Sequence, residues 1–114
     1  MTITNDYKSQ INQEFQQALK ARSLANEGQA RVCARRAAGI AIGEYLKRRE
    51  ISIPGPSAIK RLRFLINLPG ISPEVIHVSE HLLLKVNQDF KLPSDIDLVE
   101  EAKWLVQELL GESY

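Results

Sequence analysis

Apolar residues recur at helical spacing along most of the chain and predict a succession of helices. In the first segment, residues 5–26, most apolar positions are three or four residues apart and lie opposite a polar face. These positions are Tyr7, Ile11, Phe15, Ala18, Leu19 and Ala25. Asn5 or Asp6 can cap the start of this helix, and Phe15 or Leu19 is expected to fill space over the next helix.

The second segment, residues 27–49, carries a row of small side chains at helical spacing. The row and the tyrosine that ends it are Ala30, Ala34, Ala37, Ala41 and Tyr45. Small side chains let a neighbouring helix approach closely, and apolar residues on the far side predict a central helix with several neighbours. Gly39 and Gly43 each cost about 1 kcal/mol relative to alanine inside a helix. A close contact is therefore expected at both glycines, either within the chain or with a partner subunit.

Proline and glycine divide the rest of the chain into three further helices. After a loop at residues 51–56, Ser57 can cap a helix over residues 58–68. Ser72 and Pro73 begin a fourth helix that is expected to continue to about residue 89. Ser94 and Asp97 have the spacing of a capping box for a last helix ending at residue 110. No strand pattern of useful length is present, and the sequence predicts an all-α fold.

The length of 114 residues fits one domain, so residues 1–114 are expected to form a single antiparallel bundle of four to five helices with up-down topology. Hydrophobic residues make up 44% and charged residues 25%, which is typical of a globular protein and not of a disordered one. The lone Cys33 cannot form an internal disulfide. The chain starts without a signal-peptide pattern and has no long apolar stretch, so a cytoplasmic protein away from membranes is expected.

Charge is unevenly distributed although the net charge is +1. Residues 20–63 contain eleven basic residues and three acidic ones, and the rest of the chain contains four basic and eleven acidic residues. The basic segment is either a phosphate-binding face or the counterpart of the acidic part within the fold or across a dimer, and neutralisation is the favoured interpretation. The candidates for binding nucleic acid or a partner are Arg31, Arg35, Arg36, Arg49, Arg61 and Arg63.

No complete set of catalytic residues is evident. His77 and His81 are four residues apart and can share a helix face as metal ligands do, but Val78 stands where a metalloprotease motif requires glutamate. Two ligands also leave a site incomplete, so exposed histidines without metal are favoured. Cys33 borders the small-residue row, which predicts a buried packing role. No phosphate-binding glycine loop occurs, and no cofactor is expected.

The order of elements and the second segment resemble the HEPN superfamily, small helical domains often found beside nucleotidyltransferases in prokaryotic genomes. The resemblance is carried by Arg35-Arg36-Ala37-Ala38-x-x-Ala41, then Tyr45-Leu46-Lys47, and by His81-Leu82-Leu83 in a later helix. Many active HEPN ribonucleases carry an arginine followed, after four to six residues, by a histidine. Neither His77 nor His81 has that arginine. The resemblance therefore implies a member without nuclease activity that binds a partner protein such as a nucleotidyltransferase.

The sequence thus predicts a non-enzymatic interaction module, homodimeric and HEPN-like, that binds a partner protein. The alternative is nucleic-acid binding, of RNA in particular, through residues 31–63, with an affinity that falls as salt rises.

Overall fold

The computed structural model describes residues 6–84 and 96–112. These residues form five helices and no strand, so the predicted all-α helical bundle is confirmed. The helices are α1 (Tyr7–Ser23), α2 (Glu27–Arg48), α3 (Ala58–Ile66), α4 (Pro73–Leu82) and α5 (Leu98–Leu110). Within the described ranges, no helix combines the length and the apolar content needed to cross a membrane.

Each helix begins at a side chain that accepts a hydrogen bond from a free backbone N–H of the first turn. The predicted caps at Asp6, Ser57 and Ser72 are confirmed. Helix α1 ends at Ser23, Ala25 has a positive φ of 61° that no helix continues through, and Asn26 caps α2. Ser94, proposed as the cap of the last helix, lies outside the described residues, and Asp97 is the residue that caps α5.

The fourth helix is shorter than the sequence pattern predicts. The helix ends at Leu82, and residues 83 and 84 are not helical, so the prediction that it continues to about residue 89 is wrong for these two residues. Residues 85–89 lie outside the described ranges. Arg35 of α2 donates from Nε to the Leu82 carbonyl at 2.6 Å and from Nη2 to the Leu84 carbonyl at 3.0 Å. A side chain distant in sequence thus binds carbonyls that the end of a helix leaves free.

Helix α2 is the centre of the fold, as predicted, because it contacts α1, α3 and α5. The alanines at 30, 34, 37 and 41 are fully buried, and Tyr45 is half-buried. Phe15 of α1 is buried in the same core, but Leu19 is 48% exposed. Of the two residues expected to fill space over α2, Phe15 is therefore the one in the core, and Leu19 is on the surface of α1.

The ends of α1, α2 and α5 are joined by polar contacts that set their directions. Arg22, in the last turn of α1, contacts Glu27 Oε2 at 2.6 Å and Asp97 Oδ1 at 3.1 Å. At the opposite end, Arg48 donates to the Leu110 carbonyl at 3.2 Å and to the Tyr7 hydroxyl at 2.6 Å. Helix α5 therefore runs in the direction of α2 and opposite to α1. The up-down alternation expected from the sequence does not hold for α5, because it packs parallel to its neighbour α2.

The contact between Arg22 and Asp97 is expected to make the stability of the fold depend on pH in the acid range. Burial alone raises the pKa of Asp97, but hydrogen bonds from Arg22 and from the backbone N–H groups of Glu100 and Val99 outweigh it and hold that pKa below its ordinary value. Because the pKa of Asp97 is lower in the folded state than in the unfolded state, its ionised carboxylate stabilises the folded protein at pH values above the unfolded pKa of about 3.9. This stabilisation is lost as the pH falls through the folded pKa.

Asp97→Asn keeps an equally good helix cap and removes the charge. We expect the variant to be less stable than wild type by up to about 1 kcal/mol at neutral pH, with the difference closing below about pH 4. Urea unfolding followed by circular dichroism across pH measures this. A difference that stayed constant into acid would contradict the role assigned to the Asp97 charge.

Candidate functional site

Two of the six arginines predicted to bind a partner or nucleic acid are engaged inside the fold. Arg35 binds the carbonyls at the end of α4, and burial, with the nearby charge of Arg31, lowers its pKa. Arg61 donates from Nε to the Gly55 carbonyl at 2.6 Å and from Nη1 to the Gly39 carbonyl at 2.9 Å. Burial also lowers the pKa of Arg61. Each guanidinium thus joins two elements of the same chain by hydrogen bonds.

The other four arginines have different surroundings. Arg36 is 53% exposed, with Nη1 4.0 Å from Glu14 Oε1. The Arg49 guanidinium lies 3.9 Å from the centroid of the Tyr45 ring, a cation–π contact. Arg31 is half-buried, and its Nε is buried without a hydrogen-bond partner among the described residues. Arg63 is exposed on α3.

Several basic residues of the segment 20–63 pair with acidic residues outside it. Arg22 contacts Asp97, Arg36 lies near Glu14, and Arg48 Nη2 lies 3.9 Å from Glu112 Oε2. At these three arginines the basic segment and the acidic remainder of the chain meet within one fold. That is the arrangement the favoured interpretation of the charge pattern expects.

The glycine pair of α2 is the place where α3 packs most closely. A Cβ atom added at Gly39 would lie 2.8 Å from Ala58 Cβ and 3.0 Å from Ala58 Cα, closer than carbon atoms approach in proteins. A Cβ at Gly43 would lie 2.6 Å from Arg61 Nη1. The predicted close contact at Gly39 and Gly43 is therefore made by α3 of the same chain, which covers this surface of α2.

A depression between α4 and α5 exposes the single tryptophan of the chain. It has a volume of about 480 Å³ and is lined by Pro73, Glu74, His77, Val78 and Trp104. Trp104 is 38% exposed, although most of the apolar residues of α5 are buried. Proline, valine and tryptophan give this depression an apolar floor that is open to solvent.

One carboxylate, that of Glu74, lines the depression. Glu80 is three residues after His77, and Glu100 and Glu108 are four residues on either side of Trp104, so helical spacing puts the last two on the side of α5 that carries the indole. Glu100 Oε2 lies 3.7 Å from Lys103 Nζ. All four glutamates are exposed on the surface of α4 and α5. We call this surface the α4–α5 face and define it as Pro73, Glu74, His77, Val78, Glu80, Glu100, Trp104 and Glu108.

The two histidines lie at the edge of this face. His81 Nδ1 is 2.6 Å from Glu101 Oε1 of α5, and the His77 and His81 ring centroids are 4.3 Å apart. No group of three potential metal ligands was found among residues 6–84 and 96–112.

Cys33 is fully buried, which confirms its predicted packing role. Burial, together with the negative charge of Glu14, raises the pKa of the thiol. At neutral pH the sulfur is therefore protonated and a poor nucleophile.

Neither Trp104 nor Glu101 was among the candidate residues predicted from the sequence. A tryptophan with glutamates four residues before and after it was a usable signal for an exposed aromatic residue. The contact of Glu101 with His81 left no such signal, because it joins two helices across a long connection.

No family model, curated protein or solved structure matches this chain.

Proposed function

We propose that this chain is a protein-binding module whose α4–α5 face takes a basic segment of a partner protein. The observation that supports the proposal is the exposed Trp104 in an apolar depression lined by Glu74, with further exposed glutamates at helical spacing on α4 and α5. Tryptophan is among the residues that contribute most to protein interfaces, since its large ring buries much apolar area. Lysine or arginine of the partner would meet the surrounding carboxylates, and one of them can stack on the indole ring.

The depression is small for a whole interface, which typically buries about 800 Å² on each partner. It suits one or two anchoring side chains, while Glu74, Glu80 and Glu108 contact the flanking part of the segment. Affinity in the micromolar range is expected for a short segment. Because exposed carboxylates provide much of the attraction, the association rate would fall as salt is added.

A homodimer stays a proposal from the sequence. Two copies joined by their α4–α5 faces would bring the same glutamates together, since a two-fold interface pairs a surface with itself. Like charges oppose that contact, so a different protein is the better occupant. A nucleotidyltransferase as that protein, membership of the HEPN superfamily and a cytoplasmic location are likewise proposals that rest on the sequence.

Nucleic-acid binding through residues 31–63 has less support. Phosphate contacts need free cations, but Arg35 and Arg61 are held by backbone carbonyls and Arg36 lies near Glu14. Lys60 and Arg63 are the exposed cations of α3.

The test uses an amphipathic helical peptide made of leucine, alanine, lysine and arginine as a probe of the α4–α5 face. Trp104→Ala should weaken peptide binding about 30-fold, the effect of losing about 2 kcal/mol at an interface anchor. Leu24→Ala is the matched control, because Leu24 is 70% exposed and lies on the turn after α1. Calorimetry measures both affinities.

Equal affinity of the Trp104→Ala variant and wild type, or no binding by wild type, would contradict the proposal. Light scattering on the same samples reports the oligomeric state. A dimer whose mass is unchanged by Trp104→Ala would place self-association away from the α4–α5 face.

A further inference from the structure

We infer that His77 and His81 form a binding site for a divalent transition-metal ion on α4, with Glu101 of α5 as a positioning residue. This metal site is independent of the proposed docking of a partner, because it consists of two imidazoles and one carboxylate of the isolated chain.

The contact with Glu101 prepares His81 to bind metal. The carboxylate of Glu101 is a hydrogen-bond acceptor, so at 2.6 Å it holds the proton on His81 Nδ1. In the neutral ring this leaves the lone pair on Nε2, the atom that binds the ion. A carboxylate that orients a histidine in this way is the usual outer contact of histidine–metal sites and increases the basicity of the ligand.

His77 supplies the second ligand from the same helix face. Residues four apart on a helix are neighbours, and the two ring centroids are 4.3 Å apart. With metal–nitrogen distances of about 2.0–2.1 Å and a tetrahedral angle, two imidazoles on one ion have centroids roughly 5 Å apart, so the rings must separate by about 1 Å to share an ion. His77 is exposed, which leaves space around its ring for such a rotation.

The charge around the histidines favours a dication. Glu74 and Glu80 flank His77 on α4, and Glu101 of α5 contacts His81. Several negative charges on one surface raise the local concentration of cations. Glu74, one turn before His77, adds to this negative charge.

The ligand types select the metal. Imidazole suits zinc, nickel and copper, whereas magnesium and calcium prefer shells of oxygen. Two protein ligands leave the remaining positions to water, so affinity is expected to be well below that of four-ligand structural sites, with a Kd on the order of 10–100 µM for zinc.

Zinc chloride is the probe, added to untagged protein that has been stripped with a chelator. His77 and His81 are the only histidines of the chain, so the imidazole proton resonances report this site without ambiguity. Saturable shifts of both imidazoles are expected with zinc and none with magnesium. Calorimetry should show at least a tenfold loss of zinc affinity for His77→Ala and for His81→Ala.

Two further variants separate positioning from charge. Glu101→Gln should weaken zinc binding about tenfold, as the loss of an orienting carboxylate does. Glu80→Gln removes the same charge from an exposed position between the two histidines in sequence, and its effect should stay within about threefold. If both variants lose affinity equally, Glu101 acts through its charge alone and its positioning role is overturned.

Absence of saturable zinc binding by wild type would overturn the site. Unchanged zinc affinity in His77→Ala would do the same and would leave adventitious binding by carboxylates. His77 is exposed on α4, so its replacement should leave the helical circular dichroism intact and the result interpretable.

Discussion

Gly39→Ala is expected to destabilise the protein by about 1–3 kcal/mol, even though alanine is the better helix former. The added methyl would meet Ala58 Cβ at 2.8 Å and the Ala58 backbone at 3.0 Å. Ala58 is the first residue of α3, so the methyl can be accommodated only if α3 moves away from α2. Thermal unfolding should show a decrease in Tm on the order of 5–15 °C.

Gly28→Ala is the matched control on the same helix. A Cβ at Gly28 would have only Asn26 Oδ1 near it, at 3.9 Å, an ordinary contact distance. The substitution should stabilise α2 by up to about 1 kcal/mol, since alanine loses less conformational entropy on folding. Opposite signs for the two glycines are predicted. Equal stability of Gly39→Ala and wild type would contradict the close approach of α3.

Arg61→Ala should also cost about 1–3 kcal/mol, because it removes two charge-assisted hydrogen bonds that join α3 to α2 and to the preceding loop. Lys60→Ala is the control, since Lys60 is the exposed neighbour on the same helix. It should change stability by less than about 0.5 kcal/mol. Urea unfolding measures both, and similar losses for the two variants would contradict the structural role of Arg61.

The position of the Arg61 guanidinium can be tested by the energetic coupling between substitutions at Gly43 and Arg61. In the wild type, Gly43→Ala would place a methyl 2.6 Å from Arg61 Nη1 and should be destabilising. In the Arg61→Ala background that atom is gone, and the same substitution should be neutral or stabilising, as for other glycines within helices. A coupling of about 0.5–3 kcal/mol is expected from a double-mutant cycle. Simple additivity would show that the guanidinium does not occupy this position.

The helices could be predicted from the sequence because their signals are local. Capping residues such as Ser57 and Ser72 stand within three residues of the groups they bind, and the buried alanines of α2 follow one period. The end of α4 could not be predicted. Its last carbonyls are bound by Arg35, which is 47 residues from Leu82 in the chain.

The contacts of the arginine side chains could be predicted less well than the helices. The sequence shows where cations cluster, but not which of them will find a carbonyl. Arg35 and Arg61 do find carbonyls, whereas Lys60 and Arg63 remain exposed. Part of the basic segment thus belongs to the architecture, because backbone carbonyls bind guanidinium groups, which hold five donors in a fixed plane.

The α4–α5 face could be predicted only in part. Glutamates at four-residue spacing around Trp104 are visible in the sequence, and so are the paired histidines of α4. The pairing of His81 with Glu101 depends on how α4 packs on α5, which no local pattern contains.

Fluorescence of Trp104 tests the central proposal most directly, because it is the only tryptophan of the chain and lies in the α4–α5 face. One titration adds the basic amphipathic peptide, and a parallel one adds single-stranded RNA of mixed sequence. A saturable change in emission is expected with the peptide, and no saturable binding is expected with RNA. Peptide binding that leaves Trp104 emission unchanged, or RNA binding that is lost in Lys60→Ala and Arg63→Ala variants, would contradict it.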